Sequence, residues 1–196
     1  QYTGTVSWSP AHKPFDAGRQ YTATITLTPK SGYTLTGVAA NFFTVAGAES
    51  TTYVADSDVV TAVFPATAAV PLDNYVCRRS SVPEQQYTFL QNALYDVEDG
   101  QTITLLGNIN HSGGIEIEGK SVQFNLSGRT LNVTNASGPG FVVTNGAVTL
   151  MGDSGSFNVT GSRFGVQAYN SAVTVTNATA TGNEATNSGV WANTGS

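Results

Sequence analysis

The clearest pattern in the chain is a set of short apolar alternations that recur at a fixed interval. Gly114-Ile-Glu-Ile117 aligns with Gly140-Phe-Val-Val143, Gly165-Val-Gln-Ala168 and Gly189-Val-Trp-Ala192, so the glycines are 26, 25 and 24 residues apart. A second column contains Val122-Gln-Phe124, Val148-Thr-Leu150 and Val173-Thr-Val175. A third contains Leu131-Asn-Val133, Phe157-Asn-Val159 and, less regularly, Ala178-Thr-Ala180. Apolar residues alternate with polar ones in each, the period of a half-buried strand. Three short strands per repeat, separated by turns, predict the rungs of a parallel β-helix. The turns fall at Glu118-Gly119, Asn145-Gly146 and Asn170-Ser171, residue types that tolerate left-handed backbone angles. Each inward Val, Ile, Leu or Phe contributes roughly 1.5–3 kcal/mol when buried. The handedness rule for parallel crossovers predicts a right-handed coil.

The period changes upstream. Phe89, Leu90, Ala93, Leu94 and Val97 share one helical face, with Thr88 as the predicted N-cap and Asp99-Gly100 as the stop. A strand follows at 101–106. An amphipathic helix placed here covers the exposed apolar end and open backbone edges of a first rung. Before it, residues 69–86 read as a linker, with Ala68-Ala-Val-Pro71 at one end and Arg78-Arg-Ser-Ser-Val-Pro83 near the other.

Residues 1–68 form a separate module. Strands are predicted at Gly4–Trp8, at Tyr21–Leu27, where large or apolar residues alternate with threonines, and at Val59–Phe64. Asn41-Phe-Phe-Thr-Val45 adds a short apolar stretch and Lys30-Ser-Gly-Tyr33 a turn. The expectation is a small antiparallel β-sandwich-like module. The fold class is therefore all-β: this module at 1–68, a linker at 69–86, and at 87–196 a cap helix with the first rungs of a right-handed parallel β-helix.

Two resemblances accompany this reading. The run from Tyr21 to Val38, with Asn41–Ala48 and Val60–Thr67, resembles a repeat of large Firmicutes cell-surface proteins. That resemblance implies an envelope spacer with no catalytic residues. The aromatic-Leu-Gln-x-Ala-Leu to Asp-Gly-x-Thr-Ile-x-Leu pattern at 89–105 resembles the N-terminal cap of pectin-lyase-like β-helices.

Composition narrows the partners. Charged residues are 11% of the chain against a usual figure of about 25%. Polarity comes instead from 27 Thr and 15 Asn. Eight scattered basic residues and a net charge of −5 do not suit nucleic acid. No run reaches the roughly 18 apolar residues of a membrane span. Cys77 is the single cysteine, so it has no intrachain disulfide partner and reads as an incidental thiol. The expected setting is secreted or on a cell surface, with a Gram-positive envelope as host, any leader having been removed or lying upstream of Gln1. The repeat is cut at Ser196, so the natural protein is expected to continue. An uncapped last rung would associate end to end.

Candidate chemistry lies on the outward columns. One reads Glu116, Val142, Gln167, Trp191 and its neighbour Glu118, Thr144, Tyr169, Asn193. Aromatic rings beside amides and carboxylates suit a polysaccharide or a surface protein. Trp191, Tyr169, Gln167, Glu116 and Glu118 are the candidate carbohydrate-binding residues, beside the plainer reading of solvent-facing strand positions. Glu116 and Glu118 would stand about 7 Å apart on one strand, compatible with a catalytic carboxylate pair. Yet adjacent rungs offer Val142 and Thr144, and Arg129 and Arg163 fall in other turns. The reading is therefore a non-catalytic, adhesin-like display surface with no cofactor or metal. The alternative is a carbohydrate-binding or polysaccharide-degrading protein whose site lies partly in rungs beyond this sequence. Asp153, in a Gly-Asp-Ser-Gly turn, lacks the further carboxylates of a Ca²⁺ site. Trp8, Tyr21, Tyr33, Phe42, Phe43 and Phe64 read as core in preference to a sugar platform, and His12 as a solvated loop residue beside Lys13. The Asn-x-Ser/Thr triplets at Asn125, Asn132, Asn135, Asn158 and Asn177 read as chance products of an Asn- and Thr-rich chain.

Overall fold

A computed structural model describes residues 1–152, 154–182 and 187–193. Among the described residues the protein is all-β with one short α-helix, and it divides into two compact units, Gln1–Val70 and Pro71–Ser196.

The first unit is a single four-stranded antiparallel sheet of β1 (Tyr2–Ser9), β2 (Thr22–Pro29), β3 (Ser50–Tyr53) and β4 (Val59–Val63), in the order β1-β2-β4-β3. No second sheet forms among its described residues. Instead, Leu35, Val38, Phe43 and Val45 from the loop between β2 and β3 pack on Leu27, Tyr53 and Val60. The apolar stretch at 41–45 is thus a covering loop. It also shields the edge of β3: Asn41 N–H donates to Tyr53 O at 2.9 Å, and Tyr53 N–H donates to Asn41 Oδ1 at 3.1 Å. Of the six aromatics expected in the core, Tyr21 is buried and Trp8, Phe43 and Phe64 are half-buried. Tyr33 and Phe42 are exposed, because both sit on loop tips rather than strands. His12 departs from the sequence reading altogether. It is buried, and its Nδ1 lies 2.9 Å from the Tyr21 hydroxyl, which also accepts from the Asp16 N–H at 2.7 Å.

In the second unit a single 3-10 turn (Leu72–Asn74) leads into β5 (Cys77–Arg79) and β6 (Gln85–Tyr87), an antiparallel pair. The stretch expected to be a linker therefore contributes to the folded unit, with Cys77 and Tyr87 fully buried. Three-residue strands carrying Arg78, Arg79, Gln85 and Gln86 leave too little apolar alternation to be read from sequence. The helix, α1 (Leu90–Asp96), starts after Phe89 and ends earlier than expected. Thr88 is not its N-cap. Phe89 occupies that position in an extended conformation and is exposed, while Leu90, Ala93 and Val97 face the core. Lys120 Nζ donates to Val97 O at 2.7 Å and Leu94 O at 3.4 Å, satisfying carbonyls at the helix end. Burial there lowers the Lys120 pKa.

The remaining strands are β7 (Thr102–Leu105), β8 (Ile109–Ser112), β9 (Ile115–Glu118), β10 (Ser121–Asn125), β11 (Thr130–Asn135), β12 (Phe141–Thr144), β13 (Ala147–Met151), β14 (Ser156–Gly161), β15 (Phe164–Tyr169), β16 (Ala172–Val173), β17 (Asn177–Ala180) and β18 (Ser188–Asn193). They stack as three parallel ladders: β7-β10-β13-β16, β8-β11-β14-β17 and β9-β12-β15-β18. The three columns seen in the sequence are these ladders, with Phe141 opposite Ile115 and Val166, and Phe157 opposite Leu131. The last rung of the third column is the exception: Ala178 stands opposite Val159, two residues on from its expected partner Phe157. The fold is a parallel β-solenoid. At its start β5 pairs antiparallel with β7, so the hairpin and α1 together close the first rung.

Inward residues fill the coil. Phe124, Phe141 and Phe157 meet at ring-centroid distances of 5.2 and 5.4 Å, and Ile117, Leu131 and Val143 are fully buried around them. The corners require left-handed backbone at Gly119, Asn145 and Asn170, with φ of 64°, 51° and 45°. The repeating glycines have a different cause. A Cβ on Gly140 would lie 2.6 Å from Val159 Cγ1 and 2.8 Å from Thr160 O, so the adjoining strand of the coil leaves no room for a side chain.

Candidate functional site

The ladder β9-β12-β15-β18 carries the residues singled out from the sequence, because alternate side chains of a strand point to opposite faces. Its inward set is Ile115, Ile117, Phe141, Val143, Val166 and Ala168. Its outward set forms two columns, Glu116–Val142–Gln167–Trp191 and Glu118–Thr144–Tyr169–Asn193, each residue paired with the next in register.

Three of the five candidates come together. Gln167 Nε2 donates to the Tyr169 hydroxyl at 2.5 Å, and the Tyr169 and Trp191 rings lie 4.9 Å apart at 59°. Phe164, buried at the start of β15, joins them at 6.0 Å from Trp191, and the Arg163 guanidinium sits 5.1 Å from its ring centroid. The result is a partly exposed aromatic patch with an amide, a hydroxyl and a cation on its margin. Phe164 and Arg163 were missed from the sequence as contributors. The signal was present: the position before the repeating glycine reads Gly113, Pro139, Phe164 and Ser188, so Phe164 is the aromatic exception in its column.

Glu116 and Glu118 lie elsewhere on the same face. Both are exposed on β9, and β12 with Val142 and Thr144 stands between them and β15. Two strand spacings, about 10 Å, separate Glu118 from Tyr169. Among the described residues no three His, Cys, Asp or Glu side chains converge as a metal-binding group. Asp153 lies outside the described residues.

The neighbouring ladder β8-β11-β14-β17 presents a different outer face. Asn132 donates its side-chain amide to Asn110 Oδ1 at 2.8 Å, Asn158 to Asn132 at 2.8 Å, and Asn177 to Asn158 at 2.7 Å. Two residues further along each strand, Ser112, Thr134, Thr160 and Thr179 form a parallel hydroxyl column. Three of the five Asn-x-Ser/Thr triplets, and a further one at Asn110-His-Ser112, are therefore these two columns read along the chain rather than chance.

Each unit also has a concavity of its own. In the first unit, Val6, Ser7, Trp8 and the loop from Ala11 to Phe15 line a cavity of about 570 Å³. At the capped end of the solenoid, a cavity of about 210 Å³ touches Phe89, Leu90, Asn108 and His111. Burial lowers the His111 pKa, against a smaller opposing effect of a backbone hydrogen bond at Gly114.

No family model, curated protein or solved structure matches this chain. No helix among the described residues is long and apolar enough to cross a membrane.

Proposed function

We propose that this is a secreted or cell-surface, adhesin-like protein in which the first module is a spacer and the solenoid presents a glycan-recognition face. The observation that carries this reading is the convergence of Gln167, Tyr169 and Trp191 on one outward patch. Ring faces stack on the apolar face of a sugar, while the amide and hydroxyl bond its hydroxyl groups. The contrast between ladders supports it. The Asn column repeats one residue and satisfies itself, whereas the Glu116–Val142–Gln167–Trp191 column changes on every rung, as a surface shaped for a ligand does.

The resemblance of residues 21–67 to repeats of Firmicutes surface proteins, and of 89–105 to the pectin-lyase-like cap, supports a bacterial envelope setting. The sparsely charged, Thr- and Asn-rich composition agrees with it.

The test is incubation with a panel of cell-wall and plant polysaccharides, reading binding and product release together. The expected result is binding without release, lost in Trp191→Ala. Release of product that disappears in Glu116→Gln or Glu118→Gln would replace this reading with a polysaccharide-degrading one. Absence of binding across the panel would contradict the glycan assignment.

A further inference from the structure

The four-stranded sheet of the first unit treats its two edges differently. The edge of β3 is covered by the loop at 41–45, with backbone and side-chain bonds closing it. The edge formed by β1 is bare. Residues 2–7 are exposed, and the strand pairs with β2 along its whole length on the other side.

Register shows which groups face outward. Lys30 N–H donates to Gln1 O at 3.0 Å, and Leu27 N–H donates to Asp58 O at 2.6 Å, just before β4 on the far side of β2. The odd-numbered residues of β1 therefore bond β2, and alternation turns the N–H and C=O groups of Tyr2, Gly4, Val6 and Trp8 away from it. No described residue bonds these groups. An open edge of this length is normally blunted by charge, proline or a bulge. Tyr2–Ser9 has none of these: its sequence is YTGTVSWS.

We propose that β1 docks against β1 of a second copy of this chain, antiparallel, to make one continuous eight-stranded sheet. The strand is self-complementary in the register that pairs the outward-bonding residues. Tyr2 then faces Trp8, Gly4 faces Val6, Thr3 faces Ser7, and Thr5 faces its own counterpart on the two-fold axis. Aromatic pairs and Thr–Thr or Thr–Ser pairs are favourable cross-strand partners, and no charge opposes another. The cavity beside β1 fits the same arrangement. Val6, Ser7 and Trp8 of this strand line that cavity together with the loop from Ala11 to Phe15. Tyr2 of the second copy stands at its mouth, beside Trp8 and Phe15, whose rings already meet at 4.9 Å. Main-chain bonds supply the affinity and the cavity selects the side chain that enters.

The test uses the intact chain and variants at Thr5, an exposed position whose replacement leaves the fold in place. Sedimentation should show a dimer that forms with rising concentration. Thr5→Lys and Thr5→Glu each place like charges against each other on the axis, and each should weaken dimerisation at least about fivefold. Mixing the two variants should restore it. Hydrogen exchange should find the amides of Gly4, Val6 and Trp8 protected in the dimer and fast in either variant alone. A wild-type chain that stays monomeric up to about 1 mM would overturn the proposal. So would a dimer indifferent to Thr5→Lys, or one in which those three amides exchange freely.

Discussion

Asn158 donates its side-chain amide to Asn132 at 2.8 Å, one rung away on the same outer column of the solenoid. Asn132 in turn donates to Asn110, and Asn177 to Asn158, so one residue type repeated at one strand position links four rungs. The bonds run parallel to the backbone ladder and fix the same register that buries Leu131 and Phe157 inside.

Asn132→Ala removes two of these amide bonds and leaves Asn110 and Asn158 without their shared neighbour. At about 0.5–1.5 kcal/mol per bond, the expected loss is about 1–3 kcal/mol. Asn177→Ala, at the end of the column, removes one bond and should cost about half as much. Urea denaturation of the two variants checks the ratio. Equal, negligible effects would show that the column is only a solvated surface.

Gly140→Ala tests the tight corner. The added methyl meets Val159 Cγ1, Thr160 O and Gly165 O at 2.6–3.0 Å, and two of these are backbone atoms that cannot swing aside. The expected destabilisation is about 1–3 kcal/mol by overpacking. Gly107→Ala, where the added atom meets nothing within 4 Å, is the control. Thermal melts of the pair should separate clearly.

His111 supplies a pH dependence whose sign follows from its environment. It stands opposite Val133 on the inward side of β8, and burial holds its pKa below the ordinary 6.5. As pH falls through that value the unfolded chain takes up a proton that the folded chain still refuses. The unfolded state then binds more protons, so stability decreases until the folded imidazole also titrates. Urea midpoints measured from about pH 7 to about pH 5 should fall more steeply for the wild type than for His111→Val. Parallel profiles would mean that His111 titrates the same way folded and unfolded.

The repeat was legible in the sequence because its causes are local and recur. Gly140 and its equivalents are demanded by close packing, Asn145 and Asn170 by left-handed corners, and the Val, Ile and Phe columns by alternation. What escaped notice depends on contacts distant in sequence. Ser50–Tyr53 offers one buried residue, Tyr53, and becomes a strand only because β4 lies beside it. Cys77–Arg79 is recruited by β7 in the same way. His12 is buried through Tyr21, nine residues away. On the candidate site, period-2 alternation placed Gln167, Tyr169 and Trp191 on one face. The approach of Phe164 to Trp191 needed the register of β15 and β18 as well.

The outer patch is tested most directly by the fluorescence of Trp191, since the chain has only two tryptophans. In Trp8→Phe, Trp191 becomes the sole indole, and titration with oligosaccharides from the polysaccharide that binds should change its emission saturably. The same titration of Trp191→Phe, reporting Trp8 alone, should be flat. A saturable change in Trp191→Phe with none in Trp8→Phe would move glycan recognition off the solenoid face and contradict the account.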